Sequence, residues 1–317
     1  MKVVLANDGL AQSGVDALEK VGFEVITTRV AQEQLVNFIN KNNISALLVR
    51  SATEVRKSLI DTCPNLKLIG RAGVGMDNID VDYAKSKGIH VINTPTASAA
   101  SVAELVFAHL LTGIRFLHNS NRDMPLEGDH KFKQLKKSYA SGSELRGKTL
   151  GIIGFGSIGH ATAKMGLSLG MKVLFTDHHI EKETVKVLFF DGQSVEFKLT
   201  NSDLKTVLKE SDFISLHVPA QNGYVIGEKE LDQMKQGVGI INTSRGGVLD
   251  EVALVDALDN NKVSFAGLDV YESEPNPEIK ILMHPKISLS PHIGASTQEA
   301  QERIGLELAS QVIKLLK

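Results

Sequence analysis

The chain of 317 residues has no tryptophan, a single cysteine and only 5% aromatic residues. One cysteine, Cys63, cannot close an intramolecular disulfide, so the apolar core must hold the fold and a reducing compartment is expected. It stands just before Pro64, without a nucleophilic context, and reads as a half-buried structural residue. Charge excess is also missing: 35 Lys and Arg oppose 37 Asp and Glu, a net charge of −2. That balance leaves no global electrostatic footprint for nucleic acid or for an anionic membrane. No long apolar run occurs either. The most apolar helical stretch, residues 101–117, is interrupted by Glu104, His109 and Arg115 and does not read as a membrane span. Residues 1–6 are too short for a signal core, so the cytoplasm is the expected location. The ten histidines are scattered, with no paired ligand spacing beside a carboxylate motif, and no metal site is expected.

What is present is an ordinary globular composition, 42% hydrophobic and 23% charged, at a length that suggests two domains. Strand-like runs alternate with helical patterns throughout, which predicts an α/β chain built of two doubly wound parallel sheets. The first set of strands is expected at 3–6, 23–27, 46–50, 66–70 and 90–93, with helices near 11–21, 32–40 and 81–87. The second set is expected from Thr149, then at 173–176, 213–218, 239–243, 265–270 and 287–290. A hairpin is expected around Asp191-Gly192, a strong turn signal between two apolar runs. Residues 119–143 show little periodicity and read as an arm or loop, and 298–316 as a long amphipathic helix. Folding that helix back gives a discontinuous substrate domain, 1–97 plus 295–317, and a Rossmann domain at 98–294. The cleft between two such lobes is the expected binding site.

The densest signal lies between Thr149 and Asp177. An apolar strand run, 149–153, leads directly into Gly154-Phe-Gly-Ser-Ile-Gly159, then a helical pattern, a second strand run and Asp177. Gly154 makes the tight turn, Gly156 lets the backbone approach a pyrophosphate, and Gly159 lets helix pack on strand. The helix start aims free N–H groups at the phosphates. A carboxylate at Asp177 accepts both ribose hydroxyls and repels a 2′-phosphate, so the cofactor is read as NAD rather than NADP.

Three residues fall at later strand ends, where ligands of open α/β sheets gather. Arg245 follows Asn242-Thr-Ser244, Glu274 precedes Pro275, and His292 follows Pro291. A guanidinium can hold a substrate carboxylate through paired donors. An imidazole can exchange a proton with the substrate oxygen, and a carboxylate can fix that ring's orientation. Singly each is weak; beside a dinucleotide fingerprint they compose a hydride-transfer site for a 2-hydroxy acid.

These stretches resemble the D-2-hydroxyacid dehydrogenases over nearly the whole chain. The resemblance includes Leu47-Leu-Val-Arg-Ser-Ala-Thr53, Gly70-Arg-Ala-Gly-Val-Gly-Met-Asp-Asn-Ile79, the glycine fingerprint, Asn242-Thr-Ser-Arg-Gly-Gly247 and Ser290-Pro-His-Ile-Gly-Ala295. It implies Arg245 as substrate clamp, Glu274 as histidine partner and His292 as acid/base. It implies NAD contacts from Gly154, Gly156, Ser157, Ile158, Gly159, Asp177, His217, Val218, Pro219, Thr243, Ser244, Arg245, Asp269, His292, Gly294 and Ala295, with Val74 from the first domain. Within the family it points to oxidation of D-3-phosphoglycerate to 3-phosphohydroxypyruvate, the first step of serine biosynthesis. For that phosphorylated substrate, Arg50, Ser51, Arg71, Gly73 and Gly75 would join Arg245 and His292. The alternatives are a reductase of a non-phosphorylated acid such as hydroxypyruvate or glyoxylate, and an NAD-sensing scaffold. The resemblance also suggests a homodimer, and an end at Lys317 without a C-terminal regulatory domain.

Overall fold

The structure, a computed structural model, describes residues 2–317. It divides into two compact units, one of the described residues up to Ser101 plus Ala295–Lys317, the other Val102–Gly294.

The first unit is a parallel sheet of β1 (Val3–Ala6), β2 (Glu24–Ile26), β3 (Ile44–Val49), β4 (Leu68–Arg71) and β5 (His90–Asn93), in the order β2-β1-β3-β4-β5. Alternate strand residues feed opposite faces, as the pleat requires. Val4, Ala46, Leu48 and Leu68 pack with Leu18, Leu308 and Val312, while Leu5, Leu47 and Ile69 pack with Leu35, Ile39 and Leu59. The helix Gln298–Leu316 therefore covers one face of this sheet together with the helix that carries Leu18. It approaches the helix Gln12–Glu19 so closely that a Cβ on Gly14 would lie 2.7 Å from the Gly305 carbonyl oxygen.

The second unit holds β6 (Thr149–Ile153), β7 (Lys172–Thr176), β8 (Lys182–Leu188), β9 (Ser194–Thr200), β10 (Phe213–Leu216), β11 (Val238–Asn242), β12 (Val263–Leu268) and β13 (Ile287–Leu289). Six of them form a parallel sheet, β13-β12-β11-β10-β6-β7, and β8 pairs antiparallel with β9. The expected parallel α/β architecture and the Asp191-Gly192 hairpin are both found. Leu150, Ile152, Phe213 and Phe265 pack with Val106 and Leu110 on one face; Ile214, Ile240 and Leu268 pack with Leu208, Leu254 and Leu258 on the other.

Two expectations are overturned, the first being Cys63, which is fully buried in the core rather than half-buried. Residues 119–143, expected as an arm or loop, are irregular only from 139 to 143 and helical as far as Ser138, within the helix Leu117–Ser138, which breaks at Lys131. Its only buried residue is Leu135, and Leu126 and Phe132 are exposed. Pro125 stands inside it, a residue that ordinarily ends a helix, so the stretch does not read as one from sequence. An i,i+4 pair, Glu127–Lys131 at 2.8 Å, supports it locally. No single helix among the described residues is long and apolar enough to cross a membrane.

Candidate active site

Because all six strands of the second sheet are parallel, their C-terminal ends share one edge. The sheet reverses its winding at β6, flanked by β7 and β10, and the turn after β6 is Gly154–Gly159. Gly154 has φ +91, and a Cβ there would meet the His217 carbonyl oxygen at 2.6 Å. A Cβ on Gly159 would meet the Gly154 carbonyl oxygen at 2.2 Å, so helix and turn touch through backbone alone. Above Gly156 a Cβ would meet nothing within 4 Å, and this open space lies at the N-terminus of the helix Ser157–Ser168.

Asp177 ends β7 as expected. Its carboxylate accepts from Phe155 N at 2.7 Å, His179 N at 2.8 Å and Ile180 N at 3.2 Å. Burial pulls this carboxyl up, but those backbone donors outweigh it and hold its pKa below the ordinary value. His217 follows β10 with Nε2 on Ser215 Oγ at 2.9 Å, and burial pushes its imidazole down to about 3, a neutral ring. Val218 lies against the glycine turn, within 2.8 Å of where a Gly154 Cβ would stand. Pro219 is exposed beyond it.

Two buried polar atoms at this edge have no hydrogen-bond partner, His217 Nδ1 and Thr243 Oγ1. Such orphans in a native fold call for a ligand or solvent partner. Together with the open space over Gly156, they fit a dinucleotide: pyrophosphate on the helix start, ribose at Asp177, polar groups at Thr243.

Arg245 follows β11. Asn242 shapes its turn, accepting from Ser244 N at 3.1 Å and Ser244 Oγ at 2.8 Å and donating to the Arg245 carbonyl at 2.8 Å. Arg245 Nη1 donates to the Ser244 carbonyl at 2.7 Å. Glu274 follows β12 and accepts from Tyr271 N through Oε1 at 3.0 Å. Its Oε2 lies 2.8 Å from His292 Nδ1. Burial raises the Glu274 carboxyl, but the His292 bond, the Tyr271 N–H and the nearby Arg245 charge together lower it. The three residues read from sequence are thus brought together. His292 has φ +54, a conformation that costs a non-glycine residue roughly 1–3 kcal/mol and clusters at functional sites. An apolar cavity of about 460 Å³ lined by Pro275, Pro277, Leu289 and Pro291 borders the pair.

What holds His292 in place was not read from the sequence. Asp269, fully buried, accepts from Ile293 N at 2.9 Å, Gly294 N at 2.8 Å and Ser290 Oγ at 2.6 Å. Since the Ser290 hydroxyl donates to Asp269, it accepts from His109 Nε2 at 2.9 Å, and His109 Nδ1 then accepts from Ser288 Oγ at 2.9 Å. Burial lowers the His109 pKa, consistent with that neutral ring. Room for it exists only because residue 267 is glycine: a Cβ there would sit 2.6 Å from His109 Cβ.

Arg50, Ser51, Arg71, Gly73, Val74 and Gly75 belong to the first unit, as does Ala295. Strand pairing Val49↔Arg71 carries Arg50 and Arg71 to the same end of that sheet. The turn after β3 is pinned by Asp8, which accepts from Arg50 N at 2.6 Å and Thr53 N at 3.1 Å. Asn78 Nδ2 donates to the Arg50 carbonyl at 2.8 Å. Arg71 Nη1 donates to the Ala72 carbonyl at 2.7 Å, over Gly73, whose Cβ would lie 2.4 Å from that nitrogen. Val74 is partly exposed, its carbonyl accepting from Asn93 Nδ2 at 2.7 Å.

Residues 107–294 match the family described as "D-isomer specific 2-hydroxyacid dehydrogenase, NAD binding domain". The chain is 43% identical to a hydroxypyruvate reductase of Thermotoga maritima, over 99% of this chain and 98% of that protein. It is 38% identical to a D-3-phosphoglycerate dehydrogenase of Methanocaldococcus jannaschii, over 100% of this chain but 58% of that protein. The chain thus spans just over half the length of that relative. Among solved structures, D-lactate dehydrogenase from Aquifex aeolicus complexed with NAD and lactic acid superposes with a TM-score of 0.74 at 33% identity, over 98% of this chain and 94% of that one.

Proposed function

Since the chain belongs to the D-isomer specific 2-hydroxyacid dehydrogenase family and is an NAD-dependent oxidoreductase, we propose that it oxidises D-3-phosphoglycerate to 3-phosphohydroxypyruvate. That reaction would be the first step of serine biosynthesis. The observation that carries the chemistry is the His292 Nδ1–Glu274 contact of 2.8 Å with Arg245 close by.

Bound NAD supplies the acceptor for the hydride that leaves the substrate carbon; the rest falls to this chain's residues. Arg245 binds the substrate carboxylate, using the planar donor pair that only a guanidinium offers. With Nδ1 on Glu274, His292 presents Nε2 to the substrate hydroxyl and takes its proton during oxidation. In the reverse direction the same nitrogen returns the proton to the new alkoxide. Asp269 and the His109–Ser290 chain keep the ring in register by gripping the backbone beside it. Asp177 receives the adenosine ribose and disfavours a 2′-phosphate. The phosphate preference is supported by Arg50 and Arg71, two cations at one end of the first sheet where a carboxylate alone needs one.

A second reading has a specific observation behind it. The 43% match to a hydroxypyruvate reductase spans nearly all of both chains, which favours reduction of that non-phosphorylated acid. Steady-state kinetics with both pairs of substrates, each with NAD and NADP cofactors, decides. Higher kcat/KM for the phosphorylated pair is the expected result, and equal turnover of hydroxypyruvate without phosphate preference rejects the first reading.

The same reading makes the protein a cytoplasmic homodimer. The exposed Leu117, Leu126 and Phe132 of the helix Leu117–Ser138 support a partner surface there. Light scattering is expected to give twice the chain mass, and a monomer mass rejects it.

A further inference from the structure

Two turns carry the proposed machinery, one bearing Arg245 and the other Glu274, and they are joined at a place no motif marks. Gly246 sits so tightly on the second turn that a Cβ would lie 1.9 Å from the Tyr271 carbonyl oxygen. Beside that contact the side chains of Glu251 and Glu272 exchange hydrogen bonds with each other's backbone. Glu272 N donates to Glu251 Oε1 at 2.9 Å, and Glu251 N donates to Glu272 Oε1 at 2.9 Å. Tyr224 adds a hydroxyl bond to the other oxygen of Glu272 at 3.1 Å. Glu251 opens the helix Glu251–Asp259, six positions past Arg245, and Glu272 lies two positions before Glu274. The exchange is therefore a clasp between the two turns.

Glu251 is an odd choice for a merely stabilising residue. It is 6% exposed, and its second oxygen, Oε2, has no hydrogen-bond partner. Tyr224 and Tyr271 lie within electrostatic range, as do the carboxylates of Glu272, Glu274 and Glu278. Burial first, then those like charges, push its pKa above the ordinary value, with the Glu272 N–H opposing them. Burying a carboxyl with one oxygen unmatched costs stability. An apolar residue would avoid that cost but would leave Glu272 N without its acceptor, and the clasp would open.

We propose that Glu251 is a positioning residue, which through Glu272 fixes the register between Arg245 and the Glu274–His292 pair. The inference rests on the catalytic reading of those three residues. Misplacing a catalytic group by about 1 Å lowers turnover by up to roughly a hundredfold. Glu251→Ala is therefore expected to lower kcat by about ten- to a hundredfold, leave the KM for NAD nearly unchanged, and move the midpoint of the kcat–pH profile. Glu251→Gln keeps an acceptor for Glu272 N and is expected to restore most of kcat and the original midpoint. Should Glu251→Ala fail to fold, Glu272→Ala at the exposed end of the clasp carries the same expectation. His292→Ala runs alongside. Turnover that survives in His292→Ala overturns the reading of the site, whatever Glu251 does. Turnover lost in His292→Ala, with a wild-type kcat and pH midpoint in the folded clasp variant, overturns the positioning role. A kcat loss with an unmoved midpoint and no rescue by glutamine overturns it too, leaving Glu251 a structural residue.

Discussion

The two units use the same device, a parallel sheet with loops at its C-terminal edge, and arm it differently. In the second unit the imidazole itself is held by a side chain, His292 by Glu274, and its loop is backed by Asp269, Ser290 and His109 in series. In the first unit it is backbone that is secured, with Asp8 and Asn78 pinning the turn that carries Arg50. The contrast teaches a division of labour. A proton must be moved between fixed atoms, so the groups that move it are held on several sides. On the proposed reading a phosphate would need only positive charge on a well-placed turn, which the Arg50 guanidinium on its pinned backbone would supply.

Breaking the second unit should cost the most. Arg245→Lys keeps the charge but loses the planar paired donors, and kcat/KM is expected to fall by roughly 10²- to 10³-fold for every substrate alike. Steady-state kinetics checks this, and a loss confined to phosphorylated substrates would move Arg245 into the role given to Arg50. Asp177→Ala sharpens the cofactor side: affinity for NAD should fall while that for NADP falls less, measured by fluorescence titration of the reduced cofactors.

Glu274 supplies a pH test. Burial raises its carboxyl, but the His292 and Tyr271 bonds and the Arg245 charge bring its pKa below the unfolded value. The ionised form therefore stabilises the fold above the ordinary carboxylate range, and that contribution disappears as pH falls through the lowered value. Urea unfolding should show Glu274→Gln less stable than wild type at neutral pH, the gap closing in acid. A gap that widens in acid would reverse the sign of the argument.

The smallest effect concerns the packing of the glycine turn. Gly159→Ala forces a Cβ to within 2.2 Å of the Gly154 carbonyl oxygen, and such overpacking costs roughly 1–3 kcal/mol. Thermal unfolding measures it; an unchanged midpoint would show that the helix start yields more easily than its packing suggests.

Legibility in the sequence followed distance along the chain. The turn Gly154–Gly159 and Asp177 were readable because strand, glycines, helix and acid adjoin one another. Arg245, Glu274 and His292 were readable because each lies at the end of a strand run, and parallel strands bring their ends to one edge. The chain His109–Ser290–Asp269 was not, since its first two members are 181 positions apart and a histidine in an apolar helix looks like a core residue. The Glu251–Glu272 clasp was hidden for another reason: its bonds run from side chain to backbone, which leaves no pattern of residue types. The helix Leu117–Ser138 escaped because Pro125 and Gly128 interrupt its helical pattern in the sequence. In the first unit, sequence marked Arg50 and Arg71 but assigned no role to Asp8 and Asn78, which pin the turn from Arg50 to Thr53.

The division of labour is tested most directly by one ratio, kcat/KM for 3-phosphohydroxypyruvate over hydroxypyruvate, measured with NADH in wild type, His292→Ala and Arg50→Ala. His292→Ala is expected to lower both values by about the same 10²- to 10⁴-fold, leaving the ratio intact, while Arg50→Ala lowers only the phosphorylated one and collapses it. A ratio that survives Arg50→Ala, or turnover that survives His292→Ala, would contradict that division.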